Sequence, residues 1–434
     1  MTTPATSFLE QESRGMLTRL DGIRPFALNE TTVLAAALPP RAQAAIEQFV
    51  LEGRRALRRR VVSYLEWLCG SGAGVPPDEQ QRGFAVLRLA FNDVLSQFDL
   101  FAEVITQRSE HGTGVWLSGL DMLAADALRL RRPYLDPPPV VCYLARGPGA
   151  AIRRARTRLP GGRSNPVAII RVPRERMVGH GIASSVIHEV GHQGAALLSL
   201  VEALRPVLLQ ASVAAPPEDQ PAWQSWQRWI SEIVADLWSV ARLGVGSTVG
   251  LVGVVSLPRW FVFRPSGEDP HPIPWIRVRL SAAIGAALYP HPQWQQLTNL
   301  WSTLYPLATA PAGMQQTLRR LDATIPEFVD VLLSHQPPSL RGARIGAALR
   351  SPNRRPEALT ARFEAWRAAP DRIARTPPAL AFAVVGQARA AGRITPEQES
   401  RLLGDLLTSW AVRSSVDTSL ICALAESRAL APAS

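Results

Sequence analysis

Ser185-Val186-Ile187-His188-Glu189-Val190-Gly191-His192 is the stretch from which the rest of the chain can be read. It holds His-Glu-x-x-His inside an apolar, helix-compatible run. Histidines at i and i+4 lie on one face of a helix, a turn apart. Both imidazoles then reach one metal ion, with Glu189 beside it. Val186 and Ile187 precede the motif and Ala195, Ala196, Leu197 and Leu198 follow it. A helix this apolar is buried, and burying two His and a Glu without partners is costly. A metal that pairs with all three removes that cost. Gly191 is unfavourable inside a helix by about 1 kcal/mol, so a substrate strand or a neighbouring helix must approach closely there.

The motif needs a third ligand. One class of zinc peptidase takes a third His six residues after the second. Here the run continues His192-Gln-Gly-Ala-Ala-Leu-Leu198, which excludes that class. The other source is a carboxylate on a later helix, and Ser231-Glu232-Ile-Val-Ala-Asp236-Leu-Trp238 supplies it. Glu232 and Asp236 share a helix face amid Trp229, Ile230, Ile233, Val234 and Leu237. Glu232 is the expected third ligand. Asp236, one turn on, is placed to accept the outer N–H of a ligand His and fix its tautomer.

His188-Glu189-x-x-His192 with Glu232-x-x-Ala235-Asp236 resembles the gluzincin metallopeptidases, and within them the HtpX and CAAX-prenyl-protease type. That family also carries a later His-Pro followed by an Arg, as in His271-Pro272-Ile-Pro-Trp-Ile-Arg277. The resemblance covers roughly residues 166–290. It implies a zincin-like core, with Arg277 paired to a buried acid such as Asp236. It also implies that His271 lies near the substrate and stabilises an oxyanion. Tyr143, Tyr289 and Tyr305 are other candidate donors. The family's membrane spans have no counterpart here, so its membrane-bound or prenylated substrates do not carry over.

Around this centre the reading is mainly α (α+β). The chain has 434 residues, of which 47% are hydrophobic, enough for a large core and two or three domains. Helical periodicity marks 41–68, 78–107 and 116–131. Short apolar runs at 140–144 and 167–172 predict strands, and 149–159 predicts a short Arg-rich helix between them. A strand edge beside the metal helix is able to hold an extended peptide by backbone hydrogen bonds. Further helices are expected at 183–210, 223–242, 275–288, 294–305, 313–334, 359–368, 380–391 and 396–414. Residues 1–40 are a weakly patterned lead-in, and 243–257 a buried helix or strand-like segment. This divides the chain into an N-terminal helical region (1–135), a zincin-like metallopeptidase core with a small sheet (136–306) and a C-terminal helical region (307–434).

The net charge of +11 comes entirely from Arg, since the chain has no Lys. An Arg-driven nucleic-acid binder would need a binding motif with interleaved aromatics, and none is evident. Three distant cysteines, Cys69, Cys142 and Cys422, form no disulfide framework and no cysteine zinc site. The N-terminus lacks a secretory signal pattern, and no apolar run reaches the roughly 20 residues that span a bilayer. A cytoplasmic location is expected.

The functional expectation is a zinc-dependent metalloprotease. His188, His192 and Glu232 hold Zn²⁺, Glu189 is the general base, and the substrate is a protein or peptide. The competing reading is a non-catalytic, zinc-stabilised scaffold whose helical flanks bind a protein partner. Glu189 separates the two, because a structural site has no use for a base. Structural sites are also usually closed by four protein ligands.

Overall fold

The computed structural model describes residues 3–22, 33–146, 150–173, 180–265, 267 and 269–430. Sixteen α-helices and three short strands make up these residues. An N-terminal group comes first: α1 (Pro4–Gly22), α2 (Pro40–Cys69), α3 (Pro77–Thr106) and α4 (His111–Leu128). The strands are β1 (Val140–Ala145), β2 (Ala151–Arg153) and β3 (Ala168–Pro173). The helices that carry the motifs follow: α5 (His180–Leu197), α6 (Leu200–Ala214), α7 (Gln220–Leu243), α8 (Val245–Val255), α9 (Arg259–Val262) and α10 (Pro274–Leu288). The remainder is α11 (Gln293–Leu304), α12 (Ala312–Ser334), α13 (Ile345–Leu349), α14 (Pro356–Ala368), α15 (Pro378–Ala390) and α16 (Pro396–Leu430).

Proline punctuates this chain. It occupies the first turn of α2, α3, α7, α10, α14 and α15, where its fixed φ suits the helix and its missing N–H costs nothing.

Four expectations are corrected. Residues 4–22 of the lead-in are a helix, held by Leu9, Ser13, Met16 and Leu20, a seam at helical spacing. Of the segment expected as a helix over 149–159, the described residues 150–159 are not helical. Ala151–Arg153 pairs antiparallel with β3, and the chain turns through Arg156 at φ 64°. The Asn165 side-chain amide donates to the Arg154 carbonyl at 3.1 Å and holds this turn. Tertiary pairing here outweighs the helix propensity of an Arg-rich run. The expected helix over 183–210 is two, because Ser199 takes the left-handed conformation (φ 48°) and α5 and α6 meet at 81°. Finally, α16 continues to Leu430, beyond the expected end at 414.

The sheet has the order β1-β3-β2, with β1 parallel and β2 antiparallel to β3. The outer edge of β1 is closed by side chains acting as a strand would. Gln107 donates to the Leu144 carbonyl and accepts from its N–H, at 2.8 and 2.7 Å. Arg108 donates to the Cys142 carbonyl and Asp121 accepts from its N–H, both at 2.6 Å. An edge satisfied in this way does not recruit another strand. Among the described residues no strand pairs with the outer edge of β2.

One core joins α4, the sheet and every later long helix through α16. Its axis is α7, where Trp223, Trp226, Trp229 and Trp238 are all fully buried. Smaller clusters tie α1, α2 and α3 together and dock α2 and α3 on the other face of the sheet. Among the described residues no single helix is long and apolar enough to cross a membrane.

Candidate metal centre

The two motifs meet where α5 crosses α7. The crossing depends on small residues. A Cβ on Gly191 would lie 2.8 Å from the Ala235 Cα and 2.9 Å from its carbonyl oxygen, and one on Gly194 2.5 Å from the Trp238 ring. The close neighbour expected at Gly191 is therefore α7. Ala235, between Glu232 and Asp236, is the small residue on the opposing side. Hydroxyls stitch the helices together. Ser184 on α5 donates to the Ser247 carbonyl on α8, and Ser239 on α7 donates to the Ser184 carbonyl.

This packing aims three imidazoles at one oxygen. The Nε2 atoms of His188, His192 and His271 lie 3.1, 3.4 and 3.1 Å from Glu232 Oε2. Single ligand atoms of His188, Glu232 and His271 all lie within 4.8 Å of one another, a possible metal-binding group. His192 reaches the same carboxylate without completing that mutual set, and its ring stands edge-on to His188, 4.8 Å between centroids. Metal bonds of about 2.0–2.2 Å in a tetrahedron place neighbouring ligand atoms about 3.3–3.6 Å apart. The donor set and its spacings fit an ion of that kind.

Each of two imidazoles is oriented from behind by an Asp. His188 Nδ1 donates to Asp236 Oδ1 at 2.8 Å, which turns Nε2 toward Glu232. Asp236 is held in turn by Arg277, whose Nε and Nη2 donate to its two oxygens at 2.7 and 2.9 Å. His271 Nδ1 donates to Asp269 Oδ1 at 2.7 Å, and its backbone N–H donates to the same oxygen at 3.0 Å. Sequence reasoning missed Asp269. The Asp-x-His spacing at 269–271 was the signal, since a carboxylate two residues before a His in a turn can bond both its N–H and its ring. Gln193 was missed too. Its side chain accepts the Ala155 N–H at 2.7 Å and ties the segment after β2 to the metal helix.

Burial disfavours charge throughout the site, and the partners overcome it. The Asp236 carboxylate and the hydrogen bonds to Asp236 and Glu232 raise the His188 pKa to about 9 against that burial. Hydrogen bonds from His188, His192 and His271 hold the Glu232 carboxyl well below its ordinary range despite burial. Arg277 and His188 do the same for Asp236. Burial lowers the His271 pKa, but Glu232 and Asp269 raise it further.

Glu189 differs from these groups. It is 9% exposed, yet no hydrogen-bond or ion-pair partner meets its carboxylate among the described residues. His271 is the most open member, its side chain 43% exposed on the turn before α10. Two of the candidate tyrosines are engaged elsewhere: Tyr289 donates to the Ala241 carbonyl and Tyr305 to the Leu257 carbonyl. His180 is the first residue of α5, and its side chain lies outside the described residues.

A scan against protein-family models, a search of curated proteins and a search of solved structures each return no match. The chain is a mainly helical protein with a small mixed sheet and a possible His/Glu/His metal site.

Proposed function

We propose that this chain is a zinc-dependent peptidase. The observation that carries the reading is the convergence of three imidazoles on one Glu232 oxygen beside buried Glu189, whose carboxylate has no hydrogen-bond or ion-pair partner among the described residues. His188, His192 and Glu232 would hold the ion. A bound Zn²⁺ supplies Lewis acidity, polarising a carbonyl and making water acidic enough to react near neutral pH.

The remaining work falls to side chains. Glu189 takes a proton from the attacking water and returns it to the leaving amine. Asp236, locked by Arg277, keeps His188 Nδ1 protonated and its Nε2 directed inward. His271, set by Asp269, donates to the carbonyl oxygen as negative charge develops there. The outer edge of β2 lines up an extended peptide by backbone hydrogen bonds. Gln193 ties the segment that follows β2 to α5.

The test is metal analysis of the purified chain together with cleavage of an unbiased peptide pool, for the wild type and for Glu189→Gln. The reading expects one zinc per chain in both proteins, with cleavage reduced about 10²–10⁴-fold in the variant. Cleavage unchanged in Glu189→Gln would sink the mechanism. Stoichiometric zinc with no cleavage by the wild type would replace it with the structural-zinc scaffold.

A further inference from the structure

The two faces of the sheet are unlike at its β2 edge. Cys142, Leu144, Ile170 and Val172 pack with α5, while Val141, Tyr143 and Ile169 pack with α2 and α3. Residues directly opposed across an antiparallel pair share a face. Arg153 stands opposite Ile169 and therefore lies on the α3 face, whereas Ile152, opposite Ile170, packs with the α5 core. A strand added beyond β2 turns alternate side chains toward α5, which carries the metal histidines, and toward α3.

On the α3 side there is an open pocket of about 430 Å³, with Leu100 and Ile169 as apolar lining. Arg153, Arg154 and Arg171 bring guanidinium groups to it, and among the described residues no Asp or Glu lines it. Arg171 is already partnered. Arg153 and Arg154 are exposed, and neither guanidinium meets a carboxylate or another acceptor among the described residues. The Tyr143 hydroxyl also lines the pocket and makes no hydrogen bond among the described residues. Burial raises its pKa, Glu103 raises it further, and Arg171 and Arg153 pull it back, so the phenol is a neutral donor at neutral pH. Two free guanidinium groups against Glu103, which does not line the pocket, leave the charge there positive. Opposite charges across neighbouring strands attract and like charges repel.

Resting on the peptidase reading, we propose that this pocket selects peptides with an acidic side chain. An Asp or Glu on the added strand, turned to the α3 face, accepts from Arg153, Arg154 and the Tyr143 hydroxyl. Its neighbours on either side turn to the metal face. Lys in the same place is repelled by the two guanidinium groups.

The test is fluorescence anisotropy of the full Glu189→Gln chain, which holds a peptide without cutting it, with labelled peptide pools that carry Glu, Gln or Lys at every other position. The Glu pool should bind about 5–20-fold tighter than the Gln pool, and the Lys pool weakest. Raising NaCl from about 0.05 to about 0.5 M should shrink the difference. Adding Arg153→Gln and Arg154→Gln together should bring the Glu pool down to the Gln pool, with the unfolding midpoint unchanged because both side chains are exposed. Equal binding of the Glu and Gln pools, a preference that survives the double substitution, a single-stranded oligonucleotide bound more tightly than the Glu pool, or no binding at all would each overturn the proposal. Cleavage by the wild type separates it from the reading on which it rests. Cut sites with acids at offsets of one parity from the scissile bond support the pocket, and cleavage blind to acids overturns it while leaving the peptidase in place. The Glu preference in binding without any cleavage overturns the peptidase and keeps the pocket as an acidic-peptide site.

Discussion

Two clusters of buried charge, one at the outer edge of β1 and one at the α5–α7 crossing, are built on opposite plans. Arg108 and Asp121 are fully buried, 3.0 Å apart. Each also bonds the backbone of Cys142. One cation meets one anion, and the surplus capacity goes to a strand edge. The α5–α7 cluster instead sends three imidazoles to a single oxygen and leaves Glu189 with no partner among the described residues. A buried pair that matches charge to charge is a structural device. A site with more donors than its own acceptor needs, next to a buried base, is arranged for something that arrives from outside.

That contrast can be broken by treating both clusters alike. Asp121→Ala leaves Arg108 as an uncompensated buried cation and strips the Cys142 N–H of its acceptor. We expect a loss of about 3–5 kcal/mol in denaturant unfolding, with metal content per folded chain unchanged. A variant as stable as the wild type would mean that the pair is not structural. Loss of metal from its folded fraction would mean that the two clusters are one unit.

His271 sharpens the comparison from the other side. Its Nε2 is as close to Glu232 as that of His188, but it is far more exposed and sits on a turn instead of the metal helix. Read as an oxyanion donor, His271→Ala keeps zinc and lowers turnover about 10²–10³-fold. Metal analysis decides: loss of the ion would move His271 into the ligand set and leave no open position on a tetrahedral zinc.

Much of this site is legible in the sequence because helices turn spacing into geometry. His188 and His192, and Glu232 and Asp236, each share a face by their i, i+4 spacing. The apolar residues around them announce that the face is buried. The Arg277 guanidinium meets Asp236 as the family resemblance implies. What spacing does not carry is anything set by pairing between distant segments. Helix propensity reads 149–159 as a helix, but Ala151–Arg153 pairs with β3 and the chain turns at Arg156. The break at Ser199 is a single left-handed residue with no Gly or Pro to mark it. The α1 seam has five buried residues, two of them, Thr6 and Ser13, polar, too sparse and too polar to stand out. Asp269 lies in a turn, where no periodicity points to its partner.

Asp236 joins the two halves of the site, since it fixes His188 and is itself fixed by Arg277. Asp236→Asn preserves shape but weakens both bonds. We expect metal affinity to fall about 10–100-fold, measured by competition with a chromophoric chelator, with less effect on folding than Asp121→Ala. Unchanged affinity would make Asp236 a packing residue and place it in the same category as Asp121.

The smallest effect is a pH dependence of the metal-free protein. Folding raises the His188 pKa from its ordinary 6.5 to about 9, so the folded chain holds that proton more tightly than the unfolded one. The stabilisation is therefore complete below about 6.5 and is lost as pH climbs through about 9. One proton limits the slope to about 1.4 kcal/mol per pH unit, and Asp236 stays paired with Arg277 after the imidazole is neutral, which makes the loss gentler. Urea unfolding of chelated protein between about pH 6.5 and 8.5 should show stability falling with pH. Asp236→Asn should flatten that fall, because it removes the charge that raises His188. Asp121→Ala should leave the slope in place, because neither Arg108 nor Asp121 is among the groups that act on the His188 imidazole. A slope absent from the wild type, or abolished by Asp121→Ala and kept in Asp236→Asn, would reverse the roles assigned to the two clusters.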